Sequence, residues 1–518
     1  MARREERLKP LSKASARCKA CKHNDNAATC RLGSKESVIA SRNQTLPKDF
    51  IGKSFARFLN ANPLFDNHFK CIPLKKIGQE TYVQVSCRGC YCCRKMTEAV
   101  LIDLLSTELN GKNNCIEALL HRAMAIVGEQ CPVEDPAVYI MYCQTFGCDT
   151  NDARDLFLHA IRSFQGLSRR IELVSNSSVS ATLYTIKQKL DERNSSVIKI
   201  ILPLHRKAVM QVYINCLFTD VYQVGYEILR LDSGDAHGDS DVLTCQQLDL
   251  INSDIRMYMG SLQSNGEFTI LKSSLISDKL FIHGFSTRSG GISYLPNLTS
   301  LNLYSSSKRR DPKAVTSENL RRLAMAVGFN PEKFHLVKAG HASDVWIMGK
   351  TEPDSYDGIV TNQRGVTIAA PGADCIPLLF SDPVKKAYGV AHSGWKGTLL
   401  GIAMATVNSM VKEFGCSIKD ILAVLGPSVG PCCFTLPKEE ARAFYEMDPK
   451  CVRLFESPTP YVDIRKATRI LLERGGIPAG NIQDDLSLCT SCNPDLFFSR
   501  LRDGPDFGTQ IGFISVRN

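Results

Sequence analysis

Histidine is scarce in this chain. There are ten in 518 residues, only His283, His335, His341 and His392 lie beyond residue 268, and no two form a His-x-His pair. That scarcity excludes oxygen reduction at a trinuclear copper cluster, which takes many paired imidazoles, although a smaller site can still bind copper. Long apolar runs are also missing. The best, Val197 to Leu204, is interrupted by Lys199, whereas a membrane-spanning helix needs ~20 apolar residues. No apolar segment follows the charged N-terminus, so a soluble, non-secreted, cytoplasmic protein is expected. Its 21 cysteines are then expected as thiols, metal ligands or core filler rather than disulfides. The chain also lacks blocks of one charge beyond residue 31. The net +10 is spread among acids, which argues against nucleic acid as a partner.

At this length two or three domains are expected. Residues 1–95 read as a basic, Cys-rich and poorly ordered extension. Within it Cys18/Cys21 and Cys87/Cys90 have the gap that lets two thiolates share a zinc ion, but the uneven interval between the pairs fits no zinc module. From Met96 the residues Ala99, Val100, Leu101, Leu104 and Leu105 predict a helix. Ala181 to Leu190 and Ala208 to Phe218 predict further helices, and Val197 to Leu202 a buried strand. Residues 96–262 are therefore expected to form a small α/β domain. Its His205, among Arg206 and Lys207, reads as a solvated helix start.

Residues 268–518 are expected to form a larger α/β domain. A helix capped by Ser317 should end at Gly328, and another should run from Thr398 to Gly415. Strands are expected at Val366 to Ala370, Ile376 to Phe380, Tyr388 to Ala391, Ile421 to Leu425 and Gly512 to Val516. Three segments here carry chemistry. Ala369-Ala-Pro-Gly-Ala-Asp-Cys-Ile-Pro377 delivers Cys375 between two strands. Tyr388-Gly-Val-Ala-His-Ser-Gly-Trp-Lys-Gly-Thr398 presents His392 at a strand end, followed by glycines, Lys396 and a helix start, a combination suited to an anion. Gly340-His-Ala-Ser-Asp-Val-Trp346 offers His341 ahead of a strand. Two imidazoles and a thiolate make a catalytic zinc set with one position open, whereas taken singly each is more often core filler or surface.

The strings Thr287-Arg-Ser-Gly-Gly-Ile-Ser293, Asp357-Gly-Ile-Val-Thr361, Ala373-Asp-Cys-Ile-Pro377, Ala391-His-Ser-Gly-Trp-Lys-Gly397, Gly426-Pro-Ser-Val-Gly-Pro-Cys-Cys-Phe434 and Phe497-Phe-Ser-Arg-Leu-Arg-Asp503 resemble the YfiH, or laccase-domain, family. Its members are described as purine nucleoside phosphorylases and were earlier labelled multicopper polyphenol oxidases. The resemblance spans 268–518, and from residue 96 onward the chain is similar to the vertebrate members. It implies a YfiH-type mixed α/β catalytic domain in which His341, Cys375 and His392 bind Zn2+, with Cu2+ as the alternative ion. Asp374, Asp357 and Ser393 are implied to support these ligands, and Arg288, Lys396 and Arg502 to contact substrate or phosphate.

The implied activities are phosphorolysis of adenosine, inosine, guanosine and S-methyl-5'-thioadenosine, with phosphate as co-substrate, and hydrolytic deamination of adenosine. An open-site zinc lowers the pKa of its bound water to about 7, which suits the second. The vertebrate resemblance further implies purine nucleotide metabolism in immune cells, and association with peroxisomes or lipid-metabolism enzymes through protein contacts. A metabolic scaffold and a copper phenol oxidase are the competing readings. Two departures stand out. The family's Gln-Val-His-Gly is Ala339-Gly-His-Ala342 here, and Thr509 replaces an arginine found in many bacterial members. Cys432, Cys433, Cys489 and Cys492 are left open between packing and a second metal or redox role.

Overall fold

The computed structural model describes residues 98–517, apart from 106–112, 131–135, most of 143–170 and 230–242. Before residue 98 it describes only the short strands Thr45–Leu46, Phe69–Cys71, Lys75–Ile77 and Glu80–Cys87. The expected zinc pairs Cys18/Cys21 and Cys87/Cys90, and the order of the extension, lie outside the residues whose side chains are described. The chain separates into the units Met1–Thr97 and Glu98–Asn518. Among its described residues no helix is long and apolar enough to cross a membrane.

The segment after Met96 is a strand, Ala99–Leu104, with every residue buried, and the expected helix is corrected. It is the middle strand of an all-parallel sheet ordered Ile171–Val174, Ala137–Tyr142, Ala99–Leu104, Val197–Pro203, Gln223–Leu229. A central parallel strand buries both faces and so reads as a continuous apolar run, which periodicity cannot separate from a helix. Ala99 and Leu101 pack under the helices Val179–Glu192, Lys207–Leu217 and Cys245–Ser261. Val100, Ile102 and Leu104 face the helix Asn113–Gln130 on the other side. His205 is exposed in the single turn Leu204–Arg206 that leads into a helix.

The remainder is built from two mixed sheets packed face to face. One is ordered Ile270–Leu271, Phe281–Ser286, Gln510–Val516, Thr367–Gly372, Phe334–Leu336. The other is ordered Val345–Ile347, Gly358–Thr361, Ala387–Ser393, Ile376–Asp382, Leu422–Leu425, Ile482–Gln483. Phe281, Phe285, Ile368 and Ile514 of the first meet Ile359, Leu379, Tyr388 and Val424 of the second in a common core. The outer face of the second sheet is covered by the helix Ile402–Phe414, and that of the first by Lys313–Val327.

Both helices end on left-handed glycines, Gly415 and Gly328, where expected. Their starts differ. Pro312 rather than Ser317 precedes the first. The second is preceded by a separate short helix, Trp395–Leu399, because Gly401 at φ 80° turns the chain between them. The two α/β regions are joined by a buried polar knot in which Lys187 Nζ and Arg310 Nη1 lie 2.7 and 2.6 Å from the Asp191 carboxylate, with Tyr222 and Tyr294 donating to the same group.

Candidate metal centre

Strand register brings two of the three candidate ligands together. Ile376–Asp382 and Ala387–Ser393 run antiparallel with Pro377 opposite His392, so Cys375, one residue before the strand, falls beside the end of the other. Strand Gly358–Thr361 flanks the same end, with Gly358 opposite Ala391, which places Asp357 next to His392. The third ligand arrives on the loop between Phe334–Leu336 and Val345–Ile347, the crossover from one sheet to the other.

The donor atoms of His341, Cys375 and His392 all lie within 4.8 Å of one another. Cys375 Sγ is 4.0 Å from His341 Nε2, and the two imidazoles meet edge-on with centroids 4.9 Å apart. Beside them sits Gly394, where an added Cβ would lie 2.9 Å from Cys375 Sγ and 3.1 Å from His341 Cδ2. A side chain there would push into the ligand set. This close-fitting cradle, with two borderline nitrogens and one soft sulfur, fits a zinc or copper ion.

Asp357 organises the site. Its fully buried carboxylate accepts the backbone N–H groups of Gly340 (2.9 Å), His341 (3.1 Å) and Ala342 (2.8 Å), and lies 2.8 Å from His392 Nδ1. Three successive N–H groups converging on one carboxylate hold His341 in the left-handed region, at φ 60°, a conformation that costs a non-glycine residue about 1–2 kcal/mol. The same carboxylate fixes the His392 ring so that Nε2 is free for an ion. Burial pushes the Asp357 carboxyl up, but His392 and the loop N–H groups outweigh it and hold the group below its usual range.

Asp374, at φ 90°, is a second clamp. It accepts from Thr490 Oγ1 and Ser499 Oγ (both 2.7 Å) and from Leu501 N (2.6 Å), so it ties the Cys375 turn to the tail of the chain. Ser393 is buried and shares a 2.9 Å hydrogen bond with Thr398 Oγ1, which pins the turn around Gly394.

Burial drives the Cys375 thiol up, but the His392 and His341 imidazoles bring it down to about 6. Burial drives His392 down, but the Cys375 thiolate and Asp357 raise it to about 10. A thiolate facing an imidazolium is what a cation replaces. Between about pH 6, set by Cys375, and neutrality, a divalent ion would meet a thiolate and a protonated His392. Binding should therefore release protons, and more of them below pH 6, where the thiol must ionise as well. Zinc titrations in buffers of different ionisation enthalpy read their number directly, and a release that does not rise as pH falls through 6 contradicts the pairing.

The cationic candidates differ from one another. Lys396 is exposed, its ammonium 5.2 Å from the Trp395 ring centroid. Arg288 directs its guanidinium to the carbonyls of Thr299, Pro494 and Pro296 and stacks on Phe498. Arg502 is bound to Asp503 and to the carbonyls of Thr490 and Phe497. Both arginines thus brace loops through most of their donors.

Arg309 escaped the sequence reading. Its buried guanidinium donates to Thr509 Oγ1 at 3.1 Å and lies over Phe507, which restores a cation to the position where family resemblance expects arginine. At Gly340, within the other departure, an added Cβ would lie 2.5 Å from Ser355 Oγ, while nothing in the structure explains Ala339 or Ala342. A cavity of about 800 Å3 opens beside this loop between Leu303, Leu320, Leu336, Ala339 and Ser355, but none of the three ligands lines it. His283 bonds Ser273 and His335 packs edge-on to Trp346, so neither joins His341 and His392.

Residues 282–517 match the family model described as multi-copper polyphenol oxidoreductase laccase. The chain is 57% identical over 431 residues to purine nucleoside phosphorylase LACC1 of Homo sapiens, an alignment covering 82% of this chain and 100% of that protein. It is 32% identical over 258 residues to purine nucleoside phosphorylase YlmD of Bacillus subtilis (strain 168), covering 46% and 90%. It is also 33% identical over 159 residues to adenosine deaminase RL5 of an unknown prokaryotic organism, covering 30% and 60%.

Proposed function

Because the chain belongs to the multi-copper polyphenol oxidoreductase laccase family, whose relatives here are named for purine nucleoside chemistry, we propose that it is a purine nucleoside phosphorylase with adenosine deaminase activity. The observation that carries the reading is the convergence of His341, Cys375 and His392 on one point, oriented by Asp357 and shaped by Gly394. The family label does not carry it, since among the described residues only His341 and His392 are brought together there.

The ion proposed is zinc, with copper as the alternative, held by His341, Cys375 and His392 with phosphate as co-substrate. Such an ion would supply Lewis acidity there. The chain's own residues do the rest. Asp357 holds His341 and His392 in place before substrate arrives, so little reorganisation is needed during reaction. Lys396 is the cation proposed to meet phosphate at the turn after His392. In phosphorolysis a phosphate oxygen forms a bond to C1' of the sugar as the bond from C1' to N9 breaks, and the electron pair leaves with the base. Arg288 and Arg502 are proposed to act by fixing the loops around the nucleoside rather than through free donors. Adenosine, inosine, guanosine and S-methyl-5'-thioadenosine are the proposed substrates. The proposed setting is cytoplasmic purine nucleotide metabolism of immune cells, with peroxisome-associated lipid-metabolism enzymes as protein contacts, a setting carried by the resemblance to vertebrate members.

Incubating the purified full chain with adenosine separates the readings. Adenine and ribose 1-phosphate should form only when phosphate is present, and inosine should form with or without it. Oxygen uptake with a phenol, and untouched nucleosides, would return the oxidase reading. Neither activity, with the metal retained, would leave a scaffold.

A further inference from the structure

A second group of metal-ligating side chains lies outside the site described above. The Sγ atoms of Cys432, Cys433, Cys489 and Cys492 are all within 4.8 Å of one another. Cys492 Sγ is 3.5 Å from Cys432 Sγ and 3.3 Å from Cys433 Sγ. Four sulfurs around one zinc at a Zn–S distance of about 2.3 Å sit about 3.8 Å apart, a spacing these side chains reach with small rotations.

The backbone is shaped for this. Adjacent side chains normally diverge, but Cys433 and Phe434 both donate backbone N–H to Gly430 O at 3.0 Å. That tight turn brings Cys432 and Cys433 to the same side. Cys489 and Cys492 have the two-residue gap that lets two thiolates reach one ion, and Asn493 Nδ2 donates to Cys489 O at 2.7 Å. Gly430 N–H donates to Cys489 Sγ at 3.3 Å.

Inert packing does not account for the cluster, because Cys432 and Cys492 are exposed and Cys433 and Cys489 only partly buried. A single disulfide would leave two of the four without a use, and Cys492 is placed almost equally near two partners. Charge also favours a tetrathiolate. Four thiolates and one divalent ion carry a residual −2, and Arg465 crowds the same glycine as Cys432, at 2.6 and 3.2 Å from a Cβ on Gly430. Arg453 donates to Pro431 O at 3.2 Å.

We propose that Cys432, Cys433, Cys489 and Cys492 form a second, closed metal site that takes one soft divalent ion, zinc, and staples the 426–434 and 488–493 segments together behind the Cys375 turn. The two segments are already joined by Ser428 N–H to Leu488 O and Thr490 N–H to Ser428 O, each 3.1 Å. Both grip Asp374, through Val429 N–H to its carbonyl at 2.9 Å and Thr490 Oγ1 to its carboxylate at 2.7 Å. The ion is structural, with no open position, and acts on the first site by holding the residue that precedes Cys375.

The test is independent of the nucleoside reading, since it counts metal rather than product. Zinc content of the reduced full chain should fall by one equivalent in Cys489→Ser/Cys492→Ser, and by a different equivalent in His341→Ala/Cys375→Ser. Alkylation of the native wild-type chain, read by peptide mass spectrometry, should find the four thiols protected together and released together by a chelator. An unchanged zinc content in Cys489→Ser/Cys492→Ser, rapid alkylation of all four thiols without chelator, or a disulfide to Cys492 would each overturn the proposal. Where the double variant fails to fold, the wild-type alkylation pattern decides.

Discussion

Cys375→Ser and His392→Ala variants should remain folded and lose phosphorolysis of adenosine by more than about 100-fold, together with the ion held at the centre. The magnitude follows from rank. Removing a partner that merely orients a ligand costs roughly 10- to 100-fold, and removing a ligand should exceed that. Serine keeps the shape of Cys375, but its hydroxyl does not ionise near neutral pH, whereas the thiol it replaces titrates at about 6. The fold should survive because Cys375 occupies a half-buried turn between strands. In His392→Ala, Asp357 still accepts the three loop N–H groups, so no buried carboxylate is stranded, and the expected loss of stability is about 1–3 kcal/mol. Metal analysis, circular dichroism and product chromatography on the same preparation check all three parts. A folded, metal-free variant with parental activity would remove the centre from the reaction.

The five strands expected in the larger region lie within two residues of those observed, whereas Phe281–Ser286, Phe334–Leu336 and Gly358–Thr361 were not among them. Ile376–Asp382, Ala387–Ser393 and Gln510–Val516 are alternations or short apolar runs bounded by glycine, proline and charge. Ala99–Leu104 was not legible, because burial on both faces erases periodicity. The site shows the same limit. Residue type and glycine-rich context single out His341, Cys375 and His392, but only the pairing of Pro377 with His392 reveals that two of them are neighbours. Orientation is invisible in sequence, so Arg288 and Arg502 read as free cations when most of their donors serve loop carbonyls or, for Arg502, Asp503. The Arg309 to Thr509 bond, between positions 200 residues apart, left no local signal. The two cysteine pairs about 60 residues apart stand out by residue type and spacing, and what the sequence leaves open is whether they meet.

Asp357→Ala should weaken ion binding and activity by roughly 10- to 100-fold and destabilise the protein by about 2–4 kcal/mol. The second figure reflects three backbone donors losing their acceptor, each worth about 1–3 kcal/mol when buried and less here because Gly340 and His341 are exposed to water. The pH dependence has a definite sign. A carboxyl held below its ordinary range in the fold stabilises above the unfolded value of about 3.9, and that stabilisation is lost as pH falls through the folded value. The stability gap between parent and variant should therefore be full at neutral pH and close below about pH 4.

Asp357→Asn separates orientation from packing. Asparagine keeps one acceptor for the loop, but its amide N–H2 can satisfy His392 Nδ1 only by donating to it. A neutral imidazole that accepts at Nδ1 carries its proton on Nε2, the nitrogen required for the ion. The asparagine variant should thus regain most of the stability lost in Asp357→Ala and little of the metal affinity. Chelator competition and denaturant unfolding on the pair of variants measure the two quantities separately. Parental affinity in Asp357→Asn would show that this carboxylate fixes the loop of His341 without setting the tautomer of His392.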